Sequence, residues 1–236
     1  MQAINVNMLW VHGPLSGLEY ACLSSFVRQG YRVVLWTYGT THNVPHNVEI
    51  QDAREVLPEN TIFLNRQGSY AGFSDLFRYA VLRKCGGLYS DVDVVAIKPA
   101  TMLPKTSFLV SERMRDGRTK INGNLIYVPI PSNGDIVDLA YAYANVFPKK
   151  DVIWSEIGPS LLTAIVGIYP HHGFKIMPPT FANEINWWDC PARLLSDEQV
   201  PDCHFLHLYN EMWRKANRDK NSPIDRHSLL GRALHL

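Results

Sequence analysis

The stretch Gly72–Pro99, GFSDLFRYAVLRKCGGLYSDVDVVAIKP, constrains the fold more than any other part of this 236-residue chain. Phe73, Leu76, Phe77, Ala80 and Val81 recur at helical spacing, so 73–85 reads as an amphipathic helix with those side chains as its core stripe. Gly86-Gly87 stops that helix. Leu88–Ile97 then reads as one strand, closed by Pro99, with Asp91-Val92-Asp93 inside it. Residues i and i+2 of a strand point to the same side. Two carboxylates placed so repel each other and are costly to desolvate unless a cation lies between or beside them. A divalent ion such as Mn2+ or Mg2+, held by hard oxygen ligands and carrying a diphosphate, meets that need. The plain alternative is a surface turn with two solvated acids. The apolar VVAI that follows the pair favours a place at the sheet instead.

The rest of the chain supplies the sheet. Ile4–Val11 reads as a strand. Leu18–Arg28 is a helix with Leu18, Cys22 and Phe26 on one face and Gly30 as its stop, and Tyr31–Tyr38 is a second strand. Strand, helix and strand in that order make a βαβ unit and predict a parallel sheet. Residues 39–70 are mostly loop, with a short helix near Asp52–Leu57. Ser107–Glu112 and Ile121–Val128 read as paired strands, and Ile136–Phe147 and Pro159–Ile168 as helices. A short strand at Phe174–Met177, a Pro/Trp-rich loop to about Pro201 and a last strand at His204–Leu208 follow. No internal repeat or linker interrupts the pattern, so the expectation is one domain over 1–236.

Composition excludes several classes. A hydrophobic fraction of 46% and a charged fraction of 19% suit a soluble globular protein. The net charge of +1 gives a nucleic-acid partner no electrostatic support. No apolar run approaches the roughly 18–20 residues needed to span a bilayer. The start, MQAINVNMLWVHG, lacks the basic-then-apolar pattern of a signal peptide, so the cytoplasm is the expected location. From Arg214 the C-terminal tail carries six Lys/Arg against Asp219 and Asp225. It reads as a solvated face, or as a peripheral contact with the anionic inner face of a membrane. Cys22 and Cys85 fall on apolar helix faces and read as buried thiols. Cys203, His204 and His207, with Cys190 upstream, offer zinc-ligand chemistry but no C-x-x-C knuckle.

Three further groups are candidates for a site. Asp75 and Arg78 lie three apart on one helix face, either as a surface ion pair or as a clamp that accepts from and donates to hydroxyl groups. Asp75 is placed in the first turn of its helix, where negative charge is favoured. Trp10 ends the first strand beside His12-Gly13-Pro14. It is either a core aromatic or a ring exposed at the strand edge where α/β sheets bind ligands, able to stack on a nucleobase. In His204–Trp213, HFLHLYNEMW, the residues His207, Asn210 and Glu211 offer polar or metal-directed groups and Trp213 a lid. The alternative there is a satisfied histidine and a polar helix start.

Taken together, FSDLFRYAVLRKCGGLYSDVDV resembles the signature of the glycosyltransferases with a DXD sugar-binding motif, family 32. That family includes initiating mannosyltransferases, α-1,4-galactosyltransferases and capsular-polysaccharide and lipooligosaccharide transferases, and the large clostridial glucosylating toxins are distant relatives. Weaker likenesses run further: the opening NMLWVHGPLSGLEYACLSSFVRQGYRVVLW, the strand Ile121–Val128, the segment IGPSLLT at 157–163, and HLYNEMW at 207–213. Ile157 stands where the family usually has Thr, and Met212 where it has Ser, which removes a hydroxyl contact.

The resemblance implies a GT-A-type, Rossmann-like fold with a mixed, mostly parallel sheet and a nucleotide at its C-terminal edge. It implies Trp10 on the base, Ser74 and Asp75 on ribose and sugar, Arg78 on the donor sugar and Tyr89 near the diphosphate. Asp91 would contact ribose or metal, Asp93 would ligate Mn2+ (or Mg2+), His207 would complete the site, and Asn124, on a strand whose Asn faces the acceptor side, would join the donor-binding residues. The implied reaction is retaining transfer of a sugar from a nucleotide-sugar donor, UDP-linked for preference with GDP-mannose open. The acceptor is a hydroxyl on a glycan or lipid-linked molecule, in the synthesis of surface polysaccharide. Two rivals stand beside it. Asp91-Val92-Asp93-Val94-Val95 also fits the nucleophile motif of haloacid-dehalogenase-type phosphatases, with Gly134-Asp135 and Asp138 as a later acidic motif, though no Ser/Thr-then-Lys pair lies between. The other is a nucleotide-sugar-binding protein with a dead site, against which the intact Asp75, Arg78, Asp91 and Asp93 speak.

Overall fold

The computed structural model describes residues 4–235. The chain runs β1 (Asn5–Trp10), α1 (Gly17–Arg28), β2 (Arg32–Thr37), β3 (Glu49–Asp52), α2 (Ala71–Cys85), β4 (Gly87–Ser90), β5 (Val94–Ala96), β6 (Phe108–Arg113) and β7 (Thr119–Val128). It continues through α3 (Ile136–Val146), α4 (Leu161–Ile168), β8 (Lys175–Met177), β9 (Phe205–His207), α5 (Asn210–Lys215) and α6 (Leu229–Ala233). Seven strands form one sheet in the order β3-β2-β1-β4-β7-β6-β8. Within it β7 pairs antiparallel to both β4 and β6, and every other pairing is parallel, so the sheet is mixed but mostly parallel.

Alternation along the strands sorts the core into two faces. Val34 and Trp36 of β2 point to the side covered by α2, α3 and α4, where Phe73, Phe77, Val81, Val137 and Leu162 pack. Val33 and Leu35 point to the other side, against Leu23 and Phe26 of α1. A polar residue, Asn7, is buried within β1, and its needs are met on both sides. Its Nδ2 donates to the Gly86 carbonyl at 3.0 Å and its Oδ1 accepts from Trp36 Nε1 at 3.0 Å. Gly86 and Gly87 have positive φ (63° and 85°), and a Cβ on either would strike backbone, at 2.6 Å from Ile130 C and 2.7 Å from Asn5 O respectively. The reversal from α2 into β4 therefore requires both glycines.

The largest difference from the sequence reading lies at Asp91-Val92-Asp93. Leu88–Ile97 is not one strand. β4 ends at Ser90 inside the main sheet, and β5 begins at Val94 in a separate two-stranded sheet, paired antiparallel with β9. The two aspartates occupy the turn between, so the i,i+2 geometry of a strand does not place them. Other elements also differ. Glu49–Asp52 is a strand, and only a single 3-10 turn, Ala53–Glu55, stands where a helix over Asp52–Leu57 is expected. The Pro159 helix begins at Leu161, after a wide turn over Glu156–Ser160. α2 starts at Ala71, which moves Asp75 out of the first turn. Cys85 is exposed, whereas Cys22 is buried.

The C-terminal segment is not a free basic tail. Leu229, Leu230, Ala233 and Leu234 pack with Leu18, Cys22, Val95 and Leu206 in a third apolar cluster. Trp213 belongs to the same cluster and donates Nε1 to the Leu208 carbonyl at 3.0 Å, so it is core rather than lid. Arg214 and Lys215 pair with Glu211. No helix of the described residues is long and apolar enough to cross a membrane. Because Leu230 is fully buried, Leu230→Ala is expected to cost about 2–5 kcal/mol, read as a lower midpoint in urea denaturation.

Candidate active site

The elements converge at the carboxyl ends of β1 and β4, where α/β sheets bind ligands. A cleft of about 700 Å³ opens there, lined by Trp10 from β1, Ser74, Asp75 and Arg78 from α2, Asp91 and Asp93 from the turn, and His207 from β9. Asn210, Glu211 and Met212 of α5 line it as well, Met212 at the position noted above for its missing hydroxyl. Trp10 is half-buried, with its Nε1 fixed on the Gly13 carbonyl at 2.8 Å.

Arg78 stands at the centre. The residue is 5% exposed, and its guanidinium bonds two carboxylates, Asp75 Oδ1 at 2.9 Å and Asp91 Oδ1 at 3.1 Å. Asp75 is equally buried. The pair is therefore not a surface i,i+3 bridge. Tyr89 lies beneath it: the guanidinium is 5.1 Å from the ring centroid, and the phenol donates to Asp91 Oδ1 at 3.2 Å and shares a 2.9 Å bond with Ser74 Oγ. Arg78 Nε is buried with no partner among the described residues, leaving one donor of this cation unmet.

Two glycines make room for this group. A Cβ on Gly123 of β7 would overlap Arg78 Nη1 and lie 3.2 Å from Cζ. A Cβ on Gly158, in the turn before α4, would overlap the Asp75 carboxylate. Neither glycine stood out in the sequence. Within IGPSLLT the reason for Gly158 is the Asp75 side chain on a distant helix.

Asp91, Asp93 and His207 place ligand atoms within 4.8 Å of one another, and they are the one such group of three or more His, Cys, Asp or Glu found among the described residues. Cys190, Cys203 and His204 form no such group; His204 stacks on Phe181 at 4.4 Å. Glu211 is also outside it, turned to Arg214 at 2.8 Å. Asp93 Oδ1 lies 3.5 Å from His207 Nε2, and its Oδ2 accepts from the Asn210 main-chain N–H at 2.7 Å. His207 Nδ1 bonds Asn183 Oδ1 at 3.1 Å, and Asn183 Oδ1 in turn accepts from Asn124 Nδ2 at 3.0 Å. Asn124 is thus fully buried and does not line the cleft; Asn122, two residues earlier on the same strand, does. Asn124 reaches the site only through Asn183.

Electrostatics split the carboxylates. Burial pushes Asp75 up to about 6, with Arg78 opposing and Asp91 adding to the rise. Burial also raises Asp91, opposed by Arg78 and reinforced by the charge of Asp93. Asp93 moves the other way: burial alone would raise it, but the charge and hydrogen bond of His207 hold it low. His207 is correspondingly raised by Asp93, against its own burial. Arg78 is held charged by Asp91 and Asp75 even though burial disfavours its charge. Asp135 and Asp138, the later acids of a phosphatase reading, are otherwise engaged: Asp135 caps α3 through the N–H groups of Val137 and Asp138, and Asp138 binds Arg83.

An α/β protein with a mostly parallel sheet and a carboxylate-lined cleft at its strand ends is the class these features define. The family described as "Glycosyltransferase sugar-binding region containing DXD motif" matches residues 21–109 of this chain, the stretch that carries α2, the Asp91-Val92-Asp93 turn and most of α1. Over 96 residues the chain is 27% identical to the human (Homo sapiens) alpha-1,4-N-acetylglucosaminyltransferase, a match that covers 41% of this chain and 25% of that relative. Among solved structures, the PaToxG glycosyltransferase shares the fold at 20% identity and a TM-score of 0.51, over 71% of this chain and 69% of that one.

Gly123→Ala is expected to displace the Arg78 guanidinium and weaken ligand binding in the cleft by at least about tenfold, the equivalent of one lost charge-assisted bond. Calorimetric titration with nucleotide sugars reads this directly. A second expectation follows from Asp75. Its raised value means the folded chain holds this proton more tightly than the unfolded chain, for which the ordinary value is 3.8. Protonation on going from pH 7 down through about 6 thus favours folding through this group, yet it removes the negative charge from the cleft wall and turns one acceptor oxygen into a donor. Ligand affinity should therefore fall below pH 6, and Asp75→Asn should show low affinity with that limb absent.

Proposed function

We propose that this chain transfers a sugar from a nucleotide-sugar donor to a hydroxyl of a glycan or lipid-linked acceptor, with a divalent cation, Mn2+ or Mg2+, at Asp91, Asp93 and His207. One observation carries the reading: Arg78 joins Asp75 to Asp91, so a hydroxyl-binding carboxylate and a cation-binding carboxylate share one buried guanidinium. The donor set fits such an ion. Two carboxylates and an imidazole are ligands that Mn2+ accepts, and the burial and the Asp93 charge that together raise Asp91 are penalties a bound cation relieves.

In this reading the half-buried Trp10 ring carries the base, for which a UDP-sugar is the first choice and GDP-mannose the second. Ser74, Asp75 and Arg78 hold the sugar, and the unmet Arg78 Nε is a group a donor can satisfy. Tyr89 and Asn124 act from behind, Tyr89 on Asp91 and Ser74, Asn124 through Asn183 on His207. The cation would neutralise charge on the departing diphosphate as a Lewis acid. Transfer proceeds on the front face with retention. The bond from the anomeric carbon to the phosphate oxygen breaks, the bond to the acceptor oxygen forms on the same side, and the acceptor proton passes to the departing phosphate. The residues of the chain contribute by holding donor and acceptor in register. We extend the reading to a single catalytic unit in the cytoplasm that acts in surface-glycan synthesis, which rests on composition and on the family resemblance.

Nucleotide sugars screened by thermal shift with Mn2+ should single out the donor, since a ligand at 100 times its Kd stabilises by about 2.7 kcal/mol. Hydrolysis of that donor should require Mn2+ and vanish in Asp93→Ala. Full turnover in Asp93→Ala, or turnover of an aryl phosphate in place of a nucleotide sugar, would overturn the assignment.

A further inference from the structure

Glu19, in the first turn of α1, is fully buried, yet it is not part of the cleft wall. One carboxylate oxygen, Oε2, does the local work of starting the helix: it accepts from the Ser16 main-chain N–H at 2.9 Å and from the Ser16 hydroxyl. Starting the helix needs no more than this. The other oxygen, Oε1, takes two partners from the far end of the chain, the Lys220 ammonium and Asn210 Nδ2 at 2.8 Å. The segment bearing Lys220 is itself fixed on α1, because the Lys220 carbonyl accepts from Leu18 N at 3.1 Å and Asn221 Oδ1 accepts from Gly17 N at 2.9 Å. Lys220 keeps Glu19 paired in a buried setting where an unpaired carboxylate would be expensive.

Asn210 connects this network to the cleft. Its main-chain N–H is the 2.7 Å donor to Asp93 Oδ2. A carboxylate only accepts, so Glu19 obliges the Asn210 amide to turn its NH2 group inward. The Asn210 amide oxygen is left buried and without a partner among the described residues, on a side chain that lines the cleft. A continuous line of contacts therefore runs Lys220–Glu19–Asn210–Asp93.

We propose that Glu19 is a positioning residue for the cation site, acting through Asn210. Holding the Asn210 amide fixes the main-chain N–H that orients the Asp93 carboxylate. The inference rests on the reading of Asp91, Asp93 and His207 as that site. It also gives the C-terminal segment a task, since Lys220 is the cation that pairs with Glu19.

The test is Mn2+ binding to the full chain without donor, by calorimetry and by the electron paramagnetic resonance of free Mn2+, with melting temperature in chelator measured alongside. Wild type should bind one Mn2+. Glu19→Ala and Asn210→Ala should each weaken that binding by roughly tenfold, as loss of a group behind a metal ligand does. The double variant should be no weaker than either single one, because the two act in series. Asn210→Ala removes a half-buried side chain and keeps the test open if Glu19→Ala fails to fold. Melting temperatures that fall while Mn2+ affinity stays within twofold of wild type would overturn the positioning role and leave the cation site standing. A wild-type chain that binds no Mn2+ would overturn both.

Discussion

Arg78 sits almost out of water with Asp75 at 2.9 Å on one side and Asp91 at 3.1 Å on the other. A buried guanidinium needs its charge paired, and breaking such a pair costs about 3–5 kcal/mol. Much of the surrounding structure answers that requirement. Gly123 and Gly158 leave out the side chains that would occupy its space, Tyr89 offers a ring face and a hydroxyl, and the turn after β4 brings Asp91 within reach. Asp93 and His207 form a second pair beside these residues, at 3.5 Å.

This arrangement also explains the departure from a continuous strand. A strand through Leu88–Ile97 would send the two aspartates along a sheet face. Instead the chain leaves the main sheet at Ser90 and joins β9 at Val94, so the turn lies between His207 and Arg78. Asp91 is thereby shared between the guanidinium and the group it forms with Asp93 and His207, and Asp93 faces the histidine and the Asn210 N–H. Two acids one residue apart so acquire opposite titration behaviour, Asp91 raised and Asp93 lowered.

Parts of this were legible in the residues. The stripe Phe73, Leu76, Phe77, Ala80 and Val81 identifies α2, because helix periodicity is a local property, and Gly86-Gly87 identifies its end. The βαβ opening gives the parallel half of the sheet for the same reason. The split between β4 and β5 left no local trace, since LYSDVDVVAI has the apolar pattern of one strand and only pairing with Phe205–His207 divides it. Gly123 and Gly158 were equally silent, their purpose being fixed by Arg78 and Asp75 across space. The C-terminal segment misled by composition: its lysines and arginines suggest a solvated tail, whereas Leu229, Leu230 and Leu234 bury it and Lys220 points inward to Glu19.

The central claim is that one buried arginine couples a sugar-binding carboxylate to a cation site, so cation and donor should occupy adjoining ends of the same cleft. Anomalous diffraction from crystals grown with Mn2+ and a nucleoside diphosphate tests this most directly. The account predicts a manganese peak bounded by Asp91, Asp93 and His207, with the diphosphate beside it and the Arg78 guanidinium still on Asp75. A manganese peak elsewhere, or a diphosphate bound away from that cleft, would contradict it.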